Sequence, residues 1–223
     1  MSATNPELRP TVSRDFGSRA RKRGFDLVLA MLLLVIGAPL MLAAAALIRL
    51  TSKGPAFFCQ TRIGRDERPF TMFKFRTMYV GLGDEQHREF TTREILGECG
   101  CLTKDGIFKL VDDPRITPVG RLFRRFSIDE LPQLFNVLRG EMSLVGPRPS
   151  LPWEVALYTA EQRQRHLCLP GLTGLWQVSG RNRLSIPEML ALDVAYARSN
   201  SLRTDFWILL RTPYAVLFGR DTR

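Results

Sequence analysis

Histidine is scarce in this 223-residue chain: only His87 and His166 occur. That leaves a closed zinc site short of ligands, although Cys99 and Cys101 form a Cys-x-Cys pair. Cysteine is sparse too. Cys59 and Cys168 complete a scattered set of four, so the fold does not need a disulfide framework, and free thiols suit a reducing cytoplasm. No G-x-x-x-x-G-K-[ST] loop, complete G-x-G-x-x-G or Asp-x-Asp occurs, which removes the commonest nucleotide-enzyme templates. Internal repeats are also missing, which points to one domain rather than an array. Acidic residues are in deficit, 22 against 32 Lys and Arg, and the resulting +10 charge calls for an anionic partner. Nucleic acid, an acidic membrane surface and a phosphorylated substrate all meet that demand.

Charge is missing altogether from residues 27–48. As helix this run would be ~33 Å long against ~30 Å of hydrocarbon. It is longer than the ~7–15 residue core of a signal peptide and follows a polar lead, so cleavage is not expected. Arg19, Arg21, Lys22 and Arg23 precede it, and Arg49, Lys53, Arg62 and Arg65 follow it. Positive charge marks the cytoplasmic side, so both ends claim that side. A re-entrant hairpin satisfies both, with the bend at Ala38 and Pro39, where proline removes a donor and clashes with the preceding turn. Each arm would then be about one leaflet deep.

The polar residues 1–18 read as a mobile tail, 19–50 as the membrane element and 51–223 as a catalytic domain. Residues 56–63 and 70–78, rich in aromatic and β-branched side chains around Gly64, predict a β-hairpin. Residues 80–111 read as mixed loop and helix. Residues 151–166 and 187–199 predict helices, and the glycine-rich 170–181 a structured loop. Residues 202–218 intersperse aromatics with arginines, which suits either an interfacial helix or an amphipathic helix facing the core. The fold class expected is α+β: a mostly helical single domain with a small β-hairpin and an N-terminal re-entrant membrane helix.

Residues 113–149 carry the chemistry. Asp129 and Glu130 adjoin one another behind Arg121, Arg124 and Arg125. Ser127 to Glu130 fits an S-x-x-E capping box, or Asp129 is itself the cap; either frame puts Asp129 at the positive end of a helix. Both acids could merely cap that helix. An ionised Asp could instead attack phosphorus and split a transfer into two steps, with Mg²⁺ held by Glu130 to neutralise a diphosphate.

The stretches KRGFD (22–26), FKFRTM (73–78), DDPRITPVGRLFRRFSIDELPQLFNVLRGEMSLVGPRP (112–149) and PGLTGLWQVSGRN (170–182) resemble, in order, the signatures of the bacterial sugar transferase family, the monotopic phosphoglycosyl transferases. The resemblance implies transfer of a sugar-1-phosphate from a UDP-sugar to polyprenyl (undecaprenyl) phosphate, releasing UMP, as the first membrane step of exopolysaccharide or glycoconjugate synthesis. It implies Asp129 as nucleophile, Glu130 as a Mg²⁺ ligand, phosphate contacts from Lys74 and Arg124, and nucleotide binding by Pro147, Arg148 and Pro149, with Arg181 as a further candidate. It also implies membrane lipids and downstream glycosyltransferases as partners, no nucleic acid, and a place on the cytoplasmic face of the inner membrane. The family often has Ser before the kink proline; Ala38 stands there in this chain. The reading from a different class is a basic membrane-associated scaffold or nucleic-acid binder without catalysis.

Overall fold

The computed structural model describes residues 16–79, 85–98 and 113–218. Cys99, Cys101 and the tail up to residue 15 lie outside the described residues, as do 80–84 and 99–111 of the stretch expected to mix loop and helix.

The apolar N-terminal run becomes helix α1 (Phe16–Thr51), 36 residues long. Leu, Ala and Met make this a strong helix-forming stretch. The two separate arms expected around Ala38 and Pro39 are not seen; helix α1 is continuous, with Pro39 inside it. A proline costs one intrahelical hydrogen bond, but the turns on either side can carry the helix through. Asp26, Ala30, Leu34, Met41, Ala44 and Ile48 are buried. Their steps of three, four and seven residues keep them on one face. The other face is exposed and apolar, including Val28, Val35, Ile36, Leu42 and Leu50, while Ala38 and Pro39 are exposed between the two buried stretches.

Strands β1 (Phe57–Ile63) and β2 (Pro69–Phe75) form the expected antiparallel hairpin, in register from Phe57 opposite Phe75 to Ile63 opposite Pro69. The second strand ends at Phe75 rather than 78. Beyond it the Thr77 carbonyl accepts from Thr117 N at 3.0 Å and Met78 bridges Ile116, so the chain changes partner. Helix α2 (Glu85–Ile95) supplies the helical part of the mixed stretch. Helices α3 (Pro118–Arg125) and α4 (Gln133–Arg139) lead to β3 (Ser143–Val145).

The single helix expected over 151–166 is broken into α5 (Pro152–Leu157), α6 (Ala160–Arg163) and a 3₁₀ turn at Gln164–Leu167. Tyr158 is extended and Thr159 caps the next helix, its hydroxyl accepting from Gln162 N, so a local start signal overrides the apolar pattern. The glycine-rich loop contains β4 (Gly171–Thr173) and α7 (Leu175–Ser179). Strand β4 pairs parallel with β3, a second small sheet that the sequence pattern did not reveal. Helix α8 (Ile186–Ser199) starts at a Ser185–Glu188 capping box, and α9 (Leu202–Phe218) completes the fold. Of the two readings of 202–218, exposure favours the interfacial one: Phe206, Leu210, Tyr214, Leu217 and Phe218 all face outward, and only Asp205 and Ile208 are buried.

The main core joins the buried stripe of α1, Met72 and Phe75 of β2, Phe123, Leu134, Val137, Leu144, Tyr196 and Ile208, and a smaller cluster of Ile95, Val155, Tyr158 and Leu190 packs α2 and α5 against α8. Helix α1 is docked on the main core by polar contacts near both ends. Near the N-terminal end Lys22 Nζ donates to Asp205 at 2.6 Å and Arg23 to the Val137 and Leu138 carbonyls at 2.6 and 3.0 Å. At the C-terminal end Arg76 donates to the Ser52 and Lys53 carbonyls at 3.0 and 2.6 Å.

Candidate active site

Helix α3 is set by Thr117, whose hydroxyl accepts from Gly120 N at 2.9 Å, and by Pro118 in the first turn. A Cβ on Gly120 would sit 2.1 Å from the Thr77 carbonyl oxygen, so only glycine lets α3 press against the exit of β2. That contact lets Arg124 Nε donate to Thr77 Oγ1 at 2.9 Å.

The capping box expected at Ser127 is not formed. Ser127 is left-handed (φ 55, ψ 24), whereas a cap needs extended backbone, and its side chain makes no capping bond. Ile128–Glu130 is a 3₁₀ turn, and α4 starts only at Gln133 behind Pro132. Burial and neighbouring cations, more than a helix dipole, therefore govern the two carboxyls. Asn136 fixes α4 to the hairpin: its Nδ2 donates to Thr71 O at 2.7 Å and its Oδ1 accepts from Phe73 N at 3.1 Å. The neighbouring Lys74 is thereby brought to Glu130, with Nζ 2.7 Å from Oε1.

Asp129 is buried, at 7% exposure. Burial pushes its carboxyl above the usual range, with Glu130 adding to the rise and Lys74, Arg124 and Arg148 opposing it. Glu130 responds the other way. Burial would raise it, but Lys74, Arg148 and Arg181 outweigh that and hold it at about 2. Burial also lowers Arg124, offset by Asp129 and Asp113.

Pro147, Arg148 and Pro149 follow β3 directly. Arg148 Nη1 lies 3.7 Å from Glu130 Oε1. Its backbone carbonyl accepts from Arg165 Nη2 at 2.8 Å. Arg165 is itself buried, paired with Asp193 and donating to Ser150 Oγ at 2.7 Å and Tyr158 OH at 2.9 Å. Arg62, also buried, donates to the Pro149 carbonyl at 3.0 Å. A small cavity lies between Lys74, Glu130, Arg148, Pro149 and Gln177. Arg181 is not part of this lining; it is left-handed at φ 52, with Nη1 donating to the Ala215 carbonyl of α9.

Among the described residues no three His, Cys, Asp or Glu side chains gather around a metal position. An ionised Glu130 beside Asp129 nevertheless fits Mg²⁺, which takes one or two carboxylates and completes its shell with substrate phosphates and water.

Residues 17–219 match the family model described as bacterial sugar transferase. The chain belongs to the bacterial sugar transferase family. This sugar transferase is 40% identical to the exopolysaccharide production protein ExoY of Rhizobium meliloti, over 99% of this chain and 97% of that one. It is 42% identical to ExoY of Sinorhizobium fredii over 90% of this chain and 87% of that one. The undecaprenyl-phosphate galactose phosphotransferase of Salmonella typhimurium is 41% identical over 90% of this chain but 41% of its own. Family membership makes the chain an enzyme.

The structure brings Lys74, Arg124, Asp129, Glu130, Arg148 and Pro149 together and leaves Arg181 peripheral, felt by Glu130 through its charge. The sequence reading missed Arg62, Arg165, Asp193 and Gln177. A signal existed for Asp193, an acid on the same face as Leu190, Val194 and Ala197, all buried in α8. Arg165 carried no such mark.

Proposed function

We propose that the enzyme transfers a sugar-1-phosphate from a UDP-sugar to undecaprenyl or another polyprenyl phosphate, in the service of exopolysaccharide or related glycan synthesis. The observation that carries this reading is Asp129: a buried carboxyl beside an ionised Glu130, ringed by Lys74, Arg124 and Arg148 in a member of this family. An oxygen of Asp129 attacks the β-phosphorus of the donor. The bond from that phosphorus to the bridging oxygen breaks, and UMP leaves with the oxygen. The aspartyl-phosphosugar is then attacked at the same phosphorus by the carrier phosphate; the Asp129 bond breaks and the carboxylate is restored.

Lys74, Arg124 and Arg148 orient the diphosphate and offset its charge. Glu130 would hold Mg²⁺, which when bound neutralises the diphosphate. Relatives named as undecaprenyl-phosphate sugar phosphotransferases support the carrier and the reaction class.

Helix α1 is read as re-entrant, entering and leaving the cytoplasmic leaflet. Both of its ends grip the same domain, through Lys22 and Arg23 at one end and through Arg76 at the other. A helix that crossed the bilayer could not return its far end to that domain. Pro39 supplies the break in the hydrogen-bond ladder on which such a bend depends.

The test is purified enzyme with polyprenyl phosphate and a panel of UDP-sugars. The expected product is UMP, with a radiolabelled sugar-phosphate trapped on Asp129 when the carrier is withheld. Release of UDP would mean transfer of the sugar alone, and an adduct on another residue would remove Asp129 from its role. Added chelator should stop turnover and added Mg²⁺ restore it.

A further inference from the structure

Gln177 lines the cavity that holds Lys74, Glu130 and Arg148, yet nothing in the site uses it. Its amide oxygen is buried and has no hydrogen-bond partner among the described residues. The charged groups reaching this cavity are engaged, and Gln133 is a second neutral polar residue on its wall. Lys74 and Arg148 meet Glu130, and Arg62 donates to Gln60 and to the Pro149 carbonyl. Buried acceptors are nearly always satisfied, so one left open beside a reaction centre points to a donor supplied from outside.

The backbone has been shaped to bring it there. A Cβ on Gly171 would meet Gly146 N at 2.0 Å, and one on Gly146 would meet the Leu169 carbonyl oxygen at 2.3 Å. These glycines let β3 and β4 approach closely. The start of α7 is thereby seated against the residues that lead into Pro147 and Arg148. A Cβ on Gly174 would come within 3.2 Å of the Gln177 amide oxygen, so the side chain folds back over its own helix start toward that loop.

We infer that Gln177 is a donor-substrate contact, its amide oxygen accepting a hydrogen bond from a neutral O–H or N–H group of the nucleotide-sugar. The inference rests on the reaction proposed above. The charged side chains of the cavity bind the diphosphate but discriminate poorly between groups attached to it. A buried, unpaired neutral acceptor supplies that discrimination, because a ligand lacking the matching donor leaves it unpaired. Lys74 and Arg148, both paired with Glu130 on the wall of this cavity, are the cations that would meet the phosphates while Gln177 meets the attached group.

The test is Gln177→Met, which keeps the length and removes the acceptor, measured for KM toward UDP-galactose or UDP-glucose, KM toward polyprenyl phosphate, and Tm. Donor KM should rise about tenfold. Carrier KM should be unchanged and Tm equal or higher, since a buried unpaired oxygen has been removed. Calorimetry in an Asp129→Asn background locates the contact: weakened UMP binding assigns it to the nucleoside, weakened UDP-sugar binding alone to the sugar. An unchanged donor KM, or a fall in Tm with both KM values raised, overturns the inference. If wild type consumes the donor and releases UMP while Gln177→Met behaves as wild type, the reaction stands and only the role of Gln177 is lost.

Discussion

Asp129 and Glu130 are adjacent and chemically alike, yet their surroundings separate them. Burial lifts Asp129, while Lys74 and Arg148 hold Glu130 near 2. A carboxyl with a raised pKa loses its ionised, nucleophilic form as pH falls through that raised value. The acidic limb of the pH–rate profile should therefore lie above the ordinary carboxylate range of ~4. Glu130 stays ionised throughout and adds nothing to this limb. A limb below the ordinary range would exclude Asp129 as the titrating group. Asp129→Asn should lower kcat by at least roughly 10⁴-fold without loss of Tm, since an amide cannot form the acyl-phosphate. A second residue-scale expectation concerns Asp193. Asp193→Ala strands the buried Arg165 guanidinium and should cost about 3–5 kcal/mol in denaturant unfolding. Arg165→Met with Asp193→Leu should recover most of that stability. It should not recover donor affinity, because the Arg148 carbonyl loses its tether to Arg165.

Among the elements, the pairing of β3 with β4 makes the site possible. Its close approach depends on glycines, and Gly171→Ala would force a methyl onto Gly146 N at 2.0 Å. Overpacking of this kind costs about 1–3 kcal/mol or more. Gly171→Ala should therefore lower Tm and raise donor KM together, unlike Gln177→Met. An alanine variant with wild-type Tm and donor KM would mean that the strands can part without harm. Helix α4 is held differently: Asn136 inserts its amide into the backbone of β2, so helix and hairpin move as one unit carrying Glu130 and Lys74.

Over the whole molecule, an exposed apolar face on α1 and another on α9 flank one domain, and both ends of α1 are bound to it. If α1 is re-entrant, cysteines at Ser2 and Asp66, in a background without native thiols, are both shielded from an impermeant thiol reagent in intact cells. Labelling of the Ser2→Cys variant from outside would show that the helix spans. Pro39→Leu restores an amide donor and removes the ring clash, and should shift the helix toward the straight form, with Ser2→Cys becoming labelled.

The motifs from 73 to 78 and from 113 to 149 carried Asp129, Glu130, the cations and the Pro147–Pro149 loop into the sequence reading through the family resemblance, because each motif is a short contiguous stretch. The hairpin, α8 and α9 were likewise legible, since aromatic and β-branched runs around a glycine turn and helical composition are local signals. Tertiary contact decided the rest. Ser127 reads as a cap from its neighbours alone, but the turn from α3 to α4 forces it left-handed. The helix expected over 151–166 breaks at Tyr158, whose ring is buried against the Arg165 network. The tethering of Arg148 joins residues 148, 165 and 193, and the open acceptor at Gln177 faces residues 74, 130 and 148 across the chain. Such pairings leave no periodic trace, because a buried ion pair or an unpaired oxygen exists only once distant segments have excluded water around it.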